Sequence, residues 1–261
     1  MATYLDRIIA EHRAAASADV RSVEELTAAA LACAPVRGFE AALRGDGLSV
    51  ISEVKRRSPS KGDLFGDLDP ATLAQQYQNG GAACLSVLTD GPNFGGSAAD
   101  LAAARQAVSL PVLRKDFTVD VRDVLDARLM GADAVLLIVA ALSAEELALL
   151  HSTAIDVGLD VLVETHDEAE LARALSVGAT LIGVNQRDLV TFEVDHERAR
   201  RMGSVMPAEV VSVAESGVRG PEDAATLALA GYDAVLVGES LVTSGDPRSA
   251  VEAMVEAGRC S

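Results

Sequence analysis

Tryptophan is absent from this 261-residue chain, and tyrosine and phenylalanine number only three and five. A core for a chain of this length must therefore be aliphatic, built from Val, Leu, Ile and Ala, as sheets buried on both faces usually are. Positive charge is also scarce: 22 Lys and Arg against 39 Asp and Glu leave a formal charge of −17. Such a chain offers no basic stripe for a phosphate backbone, which argues against nucleic acid as a partner. A few local donors still suffice for one small anion.

Cysteine is limited to Cys33, Cys84 and Cys260, an odd number without metal-ligand spacing, so reduced thiols in a cytoplasmic protein are expected. His12, His151, His166 and His196 show no paired ligand spacing, and no metal is expected. His166 reads as a polar strand-end residue. Walker A, G-x-S-x-G and dinucleotide-binding patterns are missing, so no cofactor is expected. No apolar run approaches the roughly 20 residues of a membrane span. The amino-terminal MATYLDRIIAEHR carries charge through its apolar stretch, unlike a signal peptide. No membrane partner is expected.

From residue 48 onward, short apolar runs alternate with helical patterns. The strand candidates are 48–54, 84–88, 111–117, 133–139, 160–165, 180–185, 210–216 and 233–240. Several are continuously hydrophobic, as strands buried on both faces are. Amphipathic stretches such as SAEELALLHSTAIDVG lie between them. Gly81, Gly131, Gly178 and Gly231 each end a helical pattern and introduce the second, fourth, sixth and eighth strands, where glycine past a helix end takes positive φ. The expected fold is α/β, a (β/α)8 TIM barrel over 48–261, with a helical extension over 1–47 and the whole as a single domain. Helices are expected near 3–16 and 22–33, placed to plug the barrel bottom or to cover its mouth. A doubly wound open sheet is the rival architecture; the strand count and the lack of a G-x-G-x-x-G turn weigh against it.

Barrel catalysis sits at the carboxyl ends of the strands. Reading those ends gives Glu53 and Lys55, then Arg114, Lys115 and Asp116, Glu164, Asn185 and Arg187, Glu215, Ser216 and Gly217, and finally Gly238, Glu239 and Ser240. Any one of the charged groups has a structural ion pair as its plain explanation; all of them together do not. Glu53 and Lys55, two apart, share a side of their strand. Neighbouring Lys and Glu suit proton transfer, because burial and mutual charge move both pKa values. The glycines of the last two strand ends (ESGVRG and VGES) point to a phosphate clasp built from backbone N–H groups. The long loop RRSPSKGDLFGDLDP is a candidate lid, and its Lys55, Arg56, Arg57 and Lys61 read as an anion-binding cluster.

With these residues in view, ISEVKRRSPSKG closely resembles the signature segment of the indole-3-glycerol phosphate synthases. LRKDF, VLVETHDEAEL, IGVNQRDL, VAESGV and VLVGESL follow in the order of that family. The resemblance is good over about 48–250 and looser before it. It implies ring closure of 1-(2-carboxyphenylamino)-1-deoxyribulose 5-phosphate with loss of carbon dioxide and water, in tryptophan biosynthesis, without cofactor. By that likeness Lys115 is the general acid, Glu53 stabilises developing positive charge, and Glu164 is the acid/base of dehydration. Lys55 engages an anionic group and shares in the acid role, and Asn185 orients the substrate. Glu215 and Ser216 support the site. Ser58, Arg187, Gly217, Gly238, Glu239 and Ser240 match anion-binding positions, and Phe94 and Phe117 match apolar positions that sandwich the anthranilate ring. The partner so implied is a small phosphorylated substrate, with the chain a monomer or weak homo-oligomer. The alternatives are another phosphate-binding barrel enzyme, either a sugar-phosphate isomerase or a Schiff-base aldolase, and a catalytically silent barrel.

Overall fold

The structure, a computed structural model, describes residues 3–58, 62–63, 68–188 and 193–259. Lys61 and Cys260, and the middle of the lid candidate, lie outside the described residues.

Eight parallel strands close on themselves: β1 (Ser49–Val54), β2 (Cys84–Leu88), β3 (Val112–Lys115), β4 (Ala134–Ile138), β5 (Asp160–Thr165), β6 (Leu181–Asn185), β7 (Val211–Glu215) and β8 (Ala234–Val237). Each pairs with its sequence neighbours, and β1 pairs with both β2 and β8. That last pairing is closure, and it rules out the doubly wound open sheet. All eight expected strands are present, trimmed by a few residues at most at either end. Gly81, Gly131, Gly178 and Gly231 all have φ between 81° and 90°, the conformation that lets each helix stop and turn back.

Alternation along each strand sorts the side chains into two layers. Val50, Leu85, Val112, Val135, Val161, Ile182 and Val235 pack outward against the ring of helices. Ile51, Leu113, Leu136, Leu162, Val213 and Leu236 fill the barrel interior. The inner layer decides the site, because the next inward position along four of the strands is charged: Glu53 above Ile51, Lys115 above Leu113, Glu164 above Leu162 and Glu215 above Val213.

Residues 3–47 serve both ends of the barrel. Helix α1 (Tyr4–Ala18) starts on a capping box, Asp6 N–H donating to Thr3 Oγ1 at 3.1 Å and Thr3 N–H donating to Asp6 at 2.7 Å. It lies across the mouth. Arg13 clamps Glu146 at 2.5 and 2.9 Å, His12 Nε2 lies 3.1 Å from Asp90, and Ile8 is 2% exposed. Helix α2 (Val23–Leu31) packs on the outer helix Val121–Leu129. Helix α3 (Phe39–Leu43) has only five residues, too few for periodicity to reveal it, and it plugs the bottom. Phe39 and Leu43 are fully buried against Ile51, Cys84, Leu162 and Val211, and Glu40 N–H donates to Asp160 at 2.9 Å.

Candidate active site

A cavity of about 520 Å³ opens at the carboxyl ends of the strands, under α1. Of the fifteen residues expected from the sequence, fourteen line it. The remaining one, Ser58, has its backbone in a short ribbon pairing Arg57–Ser58 with Gly62–Asp63, and its side chain lies outside the described residues.

Charge at the floor is densely packed. Lys115 Nζ lies 3.2 Å from Glu164 Oε2 and 3.5 Å from Glu215 Oε2, and Lys55 Nζ lies 2.5 Å from Glu53. Glu53, Glu164 and Glu215 are all 4% exposed or less, a burial that only pairing makes tolerable. Burial by itself favours the neutral amine of Lys115, but Glu164, Glu215 and Glu53 outweigh it and hold the ammonium well above its ordinary pKa. Burial likewise works to raise Glu164, yet Lys115, His166 and the hydrogen bond from Asn185 hold it below the usual range. Glu215 goes the other way: burial and the neighbouring Glu164 charge push it up to about 8. Two adjacent carboxyls thus take different protonation states at neutral pH, the pattern expected of an acid and base pair. Asn185 Nδ2 donates to Glu164 Oε1 at 3.0 Å, and Arg187 N–H donates back to Asn185 Oδ1 at 3.0 Å.

Missing side chains make room for the present ones. A Cβ on Gly183, an inward position on β6, would fall well inside contact distance of Glu215 Oε1 and 3.1 Å from its Cδ. Just past β8, a Cβ at Gly238 would lie 3.1 Å from both Lys55 Nζ and the Glu53 Cδ. The β7 end is shaped by a different need. Ser216 and Gly217 are both left-handed, with φ of 66° and 76°, which costs a non-glycine residue energy. Gln186 Nε2 donates to the Ser216 carbonyl at 2.8 Å and so braces it. Ser240 Oγ donates to the Val218 carbonyl at 2.9 Å, tying the two glycine-bearing loops together. Gly217, Gly238, Glu239 and Ser240 form one polar end of the cavity, with Arg187 also in the wall.

At the other end, the Phe94 and Phe117 rings are 6.1 Å apart and tilted by 39°. Both rings line the cavity and form an apolar wall. Tyr4, Leu5 and Ile8 of α1 add to the lining; sequence reasoning missed them because nothing in the extension showed which face meets the mouth.

Four further residues behave differently from expectation. Arg114 faces outward, donating to Asp116 at 2.9 Å and to the Asp123 carbonyl at 2.8 Å. It is structural, and the alternation that puts Lys115 inward already excludes it. Arg56 pairs with Asp100 at 2.9 Å and Arg57 with Asp63 at 2.8 Å, so only Lys55 of the described basic cluster lines the cavity. His166 is more than a strand-end residue. Its Nε2 lies 3.6 Å from Glu164 Oε1.

The family model for indole-3-glycerol phosphate synthase matches residues 5–254. The chain is 54% identical to indole-3-glycerol phosphate synthase 1 of Streptomyces coelicolor, over 91% of this chain and 88% of that one. It is 53% identical to the indole-3-glycerol phosphate synthase of Mycolicibacterium smegmatis, over 98% and 95%. Among solved structures, thiamine phosphate pyrophosphorylase from Pyrococcus furiosus superposes with a TM-score of 0.61 at 17% identity, covering 81% of this chain and 96% of that one. At that identity the likeness speaks for the barrel alone.

Proposed function

The chain belongs to the indole-3-glycerol phosphate synthase family, and from that premise we propose how its mouth residues share the ring closure. The family's reaction, a decarboxylating carbon–carbon bond closure of tryptophan biosynthesis acting on a phosphorylated small molecule, is the function of the chain. The division of labour is our reading. Its main support is Lys115, whose ammonium sits at the cavity floor within 3.5 Å of Glu164 and Glu215.

In this reading the backbone N–H groups of Gly217, Gly238, Glu239 and Ser240, with Arg187 and Ser58, hold the phosphate. The Phe94 and Phe117 wall takes one face of the anthranilate ring, with Tyr4 and Ile8 above. Lys55 engages an anionic group of the substrate and shares the acid role. The aryl carbon bearing the carboxylate then attacks the ketone carbon while Lys115 gives its proton to the ketone oxygen. Positive charge develops toward the ring nitrogen, and the anionic Glu53 stabilises it. Loss of carbon dioxide restores aromaticity. In the last step Lys115, reprotonated, gives a second proton to the hydroxyl, which leaves as water, while Glu164 takes a proton from the carbon beside the nitrogen. Asn185 keeps Glu164 turned toward the substrate, and Glu215 and Ser216 shape the floor.

No step in this sequence calls for a metal or cofactor. Residues 1–47 and the barrel act as one domain, since α1 and α3 complete its two ends. The same reading assigns a cytoplasmic monomer or weak homo-oligomer. Among the described residues no helix is long and apolar enough to cross a membrane.

Replacing Lys115 by Met tests the assignment. The growth of indole fluorescence should fall by at least ~100-fold, the usual worth of a positioned acid, while substrate binding stays within severalfold of the parent. Turnover within tenfold of the parent would show that the acid is elsewhere.

A further inference from the structure

Charge balance in the ring closure requires a proton from solvent. The substrate carboxylate departs as neutral carbon dioxide, and the ketone oxygen departs as water. That oxygen takes one proton when the carbon–carbon bond forms and a second when its bond to carbon breaks. One proton returns to the protein from the carbon beside the nitrogen. Each turnover therefore draws one proton from outside, and it has to reach Lys115 and Glu164, whose side chains are only 17% and 2% exposed.

Among the described residues, one histidine stands against that pair. His166 follows β5 directly and sits behind Glu164, outside the cavity lining, with its ring 12% exposed. Glu170 accepts both the His166 backbone N–H at 2.8 Å and a contact from ring Nδ1 at 2.9 Å. The carboxylate thereby fixes Nδ1 as a donor and leaves Nε2 as the nitrogen that exchanges. That nitrogen is buried without a hydrogen-bond partner and faces Glu164 Oε1 at 3.6 Å. A neutral Nε2 would point its lone pair at a carboxylate, so the arrangement is satisfied only when a proton lies between them.

We propose that His166 is a proton-relay residue, acting through Glu164, which restores the proton that each turnover consumes. The Nε2–H bond of the imidazolium breaks as the Glu164 Oε1–H bond forms. Glu164, 3.2 Å from Lys115 through its other oxygen, passes the proton to the amine. The neutral ring keeps its Nδ1 proton on Glu170 and regains the Nε2 proton from water when its contact with Glu164 opens and turns that nitrogen to solvent. His166 is thus a positioning residue in its resting contact and a carrier during the cycle. This rests on the acid/base role given to Glu164 above.

The charged groups facing the ring are Glu164 from β5, Glu170 from its own helix and Arg198 from the helix His196–Gly203. Burial favours the neutral ring, but the two carboxylates prevail over it and over Arg198, holding His166 more basic than an ordinary histidine. Its charged form is present below that raised pKa and lost above it, so kcat should fall on the alkaline side.

The test uses the full chain carrying His166→Ala or Glu170→Gln, with kcat and KM measured across pH at low and high imidazole concentration. His166→Ala should lower kcat by at least ~10-fold, a modest share of what a proton-transfer group contributes, with KM within about twofold. Imidazole should raise the variant's kcat and leave the parent's unchanged. Glu170→Gln keeps the ring in place and should move the alkaline limb to lower pH. Glu164→Gln should be inactive whatever the imidazole concentration. Parental kcat and pH profile in His166→Ala, or lost activity that imidazole does not restore, overturns the relay and leaves Glu164 its role. Parental turnover in Glu164→Gln removes the role of Glu164 and the relay with it.

Discussion

Gly183→Ala is a one-carbon change whose consequence follows from the packing of the mouth. Gly183 lies on β6 at an inward position, and the space where its side chain would be is filled by the Glu215 carboxylate. Its φ is not among the positive values, so alanine suits the backbone and gains about 0.5–1 kcal/mol over glycine within a strand. The new methyl overlaps Oε1 of Glu215, and the carboxylate must withdraw by roughly 1.5 Å to reach ordinary contact. It is the tip of a side chain, so the move costs little stability. It does pull Oε2 away from Lys115, now 3.5 Å distant. A displacement of about 1 Å near the chemistry typically costs ~100-fold in rate, or about 2.7 kcal/mol of transition-state stabilisation. The expected result is kcat/KM lower by about two orders of magnitude in the indole fluorescence assay, with Tm within a few degrees of the parent. Adding Glu215→Asp shortens the displaced side chain and should recover part of the loss, a non-additivity that a double-mutant cycle measures. Full activity in Gly183→Ala would refute the claim that the Glu215 position matters, and equal losses in the single and double variants would refute its steric cause.

Two other expectations concern charge and packing. Glu215 is raised by burial and by Glu164 to about 8, above its unfolded value, so its favourable contribution is complete at acid pH and is lost as pH rises through 8. Glu215→Gln, which has no proton to lose, should therefore gain Tm relative to the parent at pH 9 compared with pH 6, and an equal difference at both values would contradict the assignment. Phe39→Ala empties the plug beneath the barrel, where the ring is 0% exposed. It should cost about 3–5 kcal/mol and lower Tm by about 10 °C while leaving kcat at 25 °C unchanged; a loss of activity without a loss of Tm would mean that α3 acts on the mouth.

The barrel was readable because its strands are continuous apolar runs and its helix ends carry glycines, signals that are local in sequence. The polar ring of the mouth was readable for a related reason. Glu53, Lys115, Glu164 and Glu215 each follow an inward aliphatic residue by two positions, and period-two alternation needs no tertiary information. The same rule, applied to β3, separates Lys115 from Arg114. What escaped was set by contacts between distant segments. Helix α3 is one short turn whose only signature is the hole it fills. The face of α1 that carries Tyr4 and Ile8 is chosen by the mouth beneath it. Arg56 and Arg57 read as anion binders until Asp100 and Asp63 are placed beside them. His166 gained meaning only once its Nε2 was seen to face Glu164.

The central claim is that this cluster of lysines and carboxylates carries out the ring closure unaided. The most direct measurement is to mix the purified chain with 1-(2-carboxyphenylamino)-1-deoxyribulose 5-phosphate in chelator-treated buffer and follow indole fluorescence. The account predicts sustained growth of the indole signal with the parent and none with Lys115→Met. A well-folded parent that produces no indole, or one that does so only when a metal or nucleotide is restored, would contradict it.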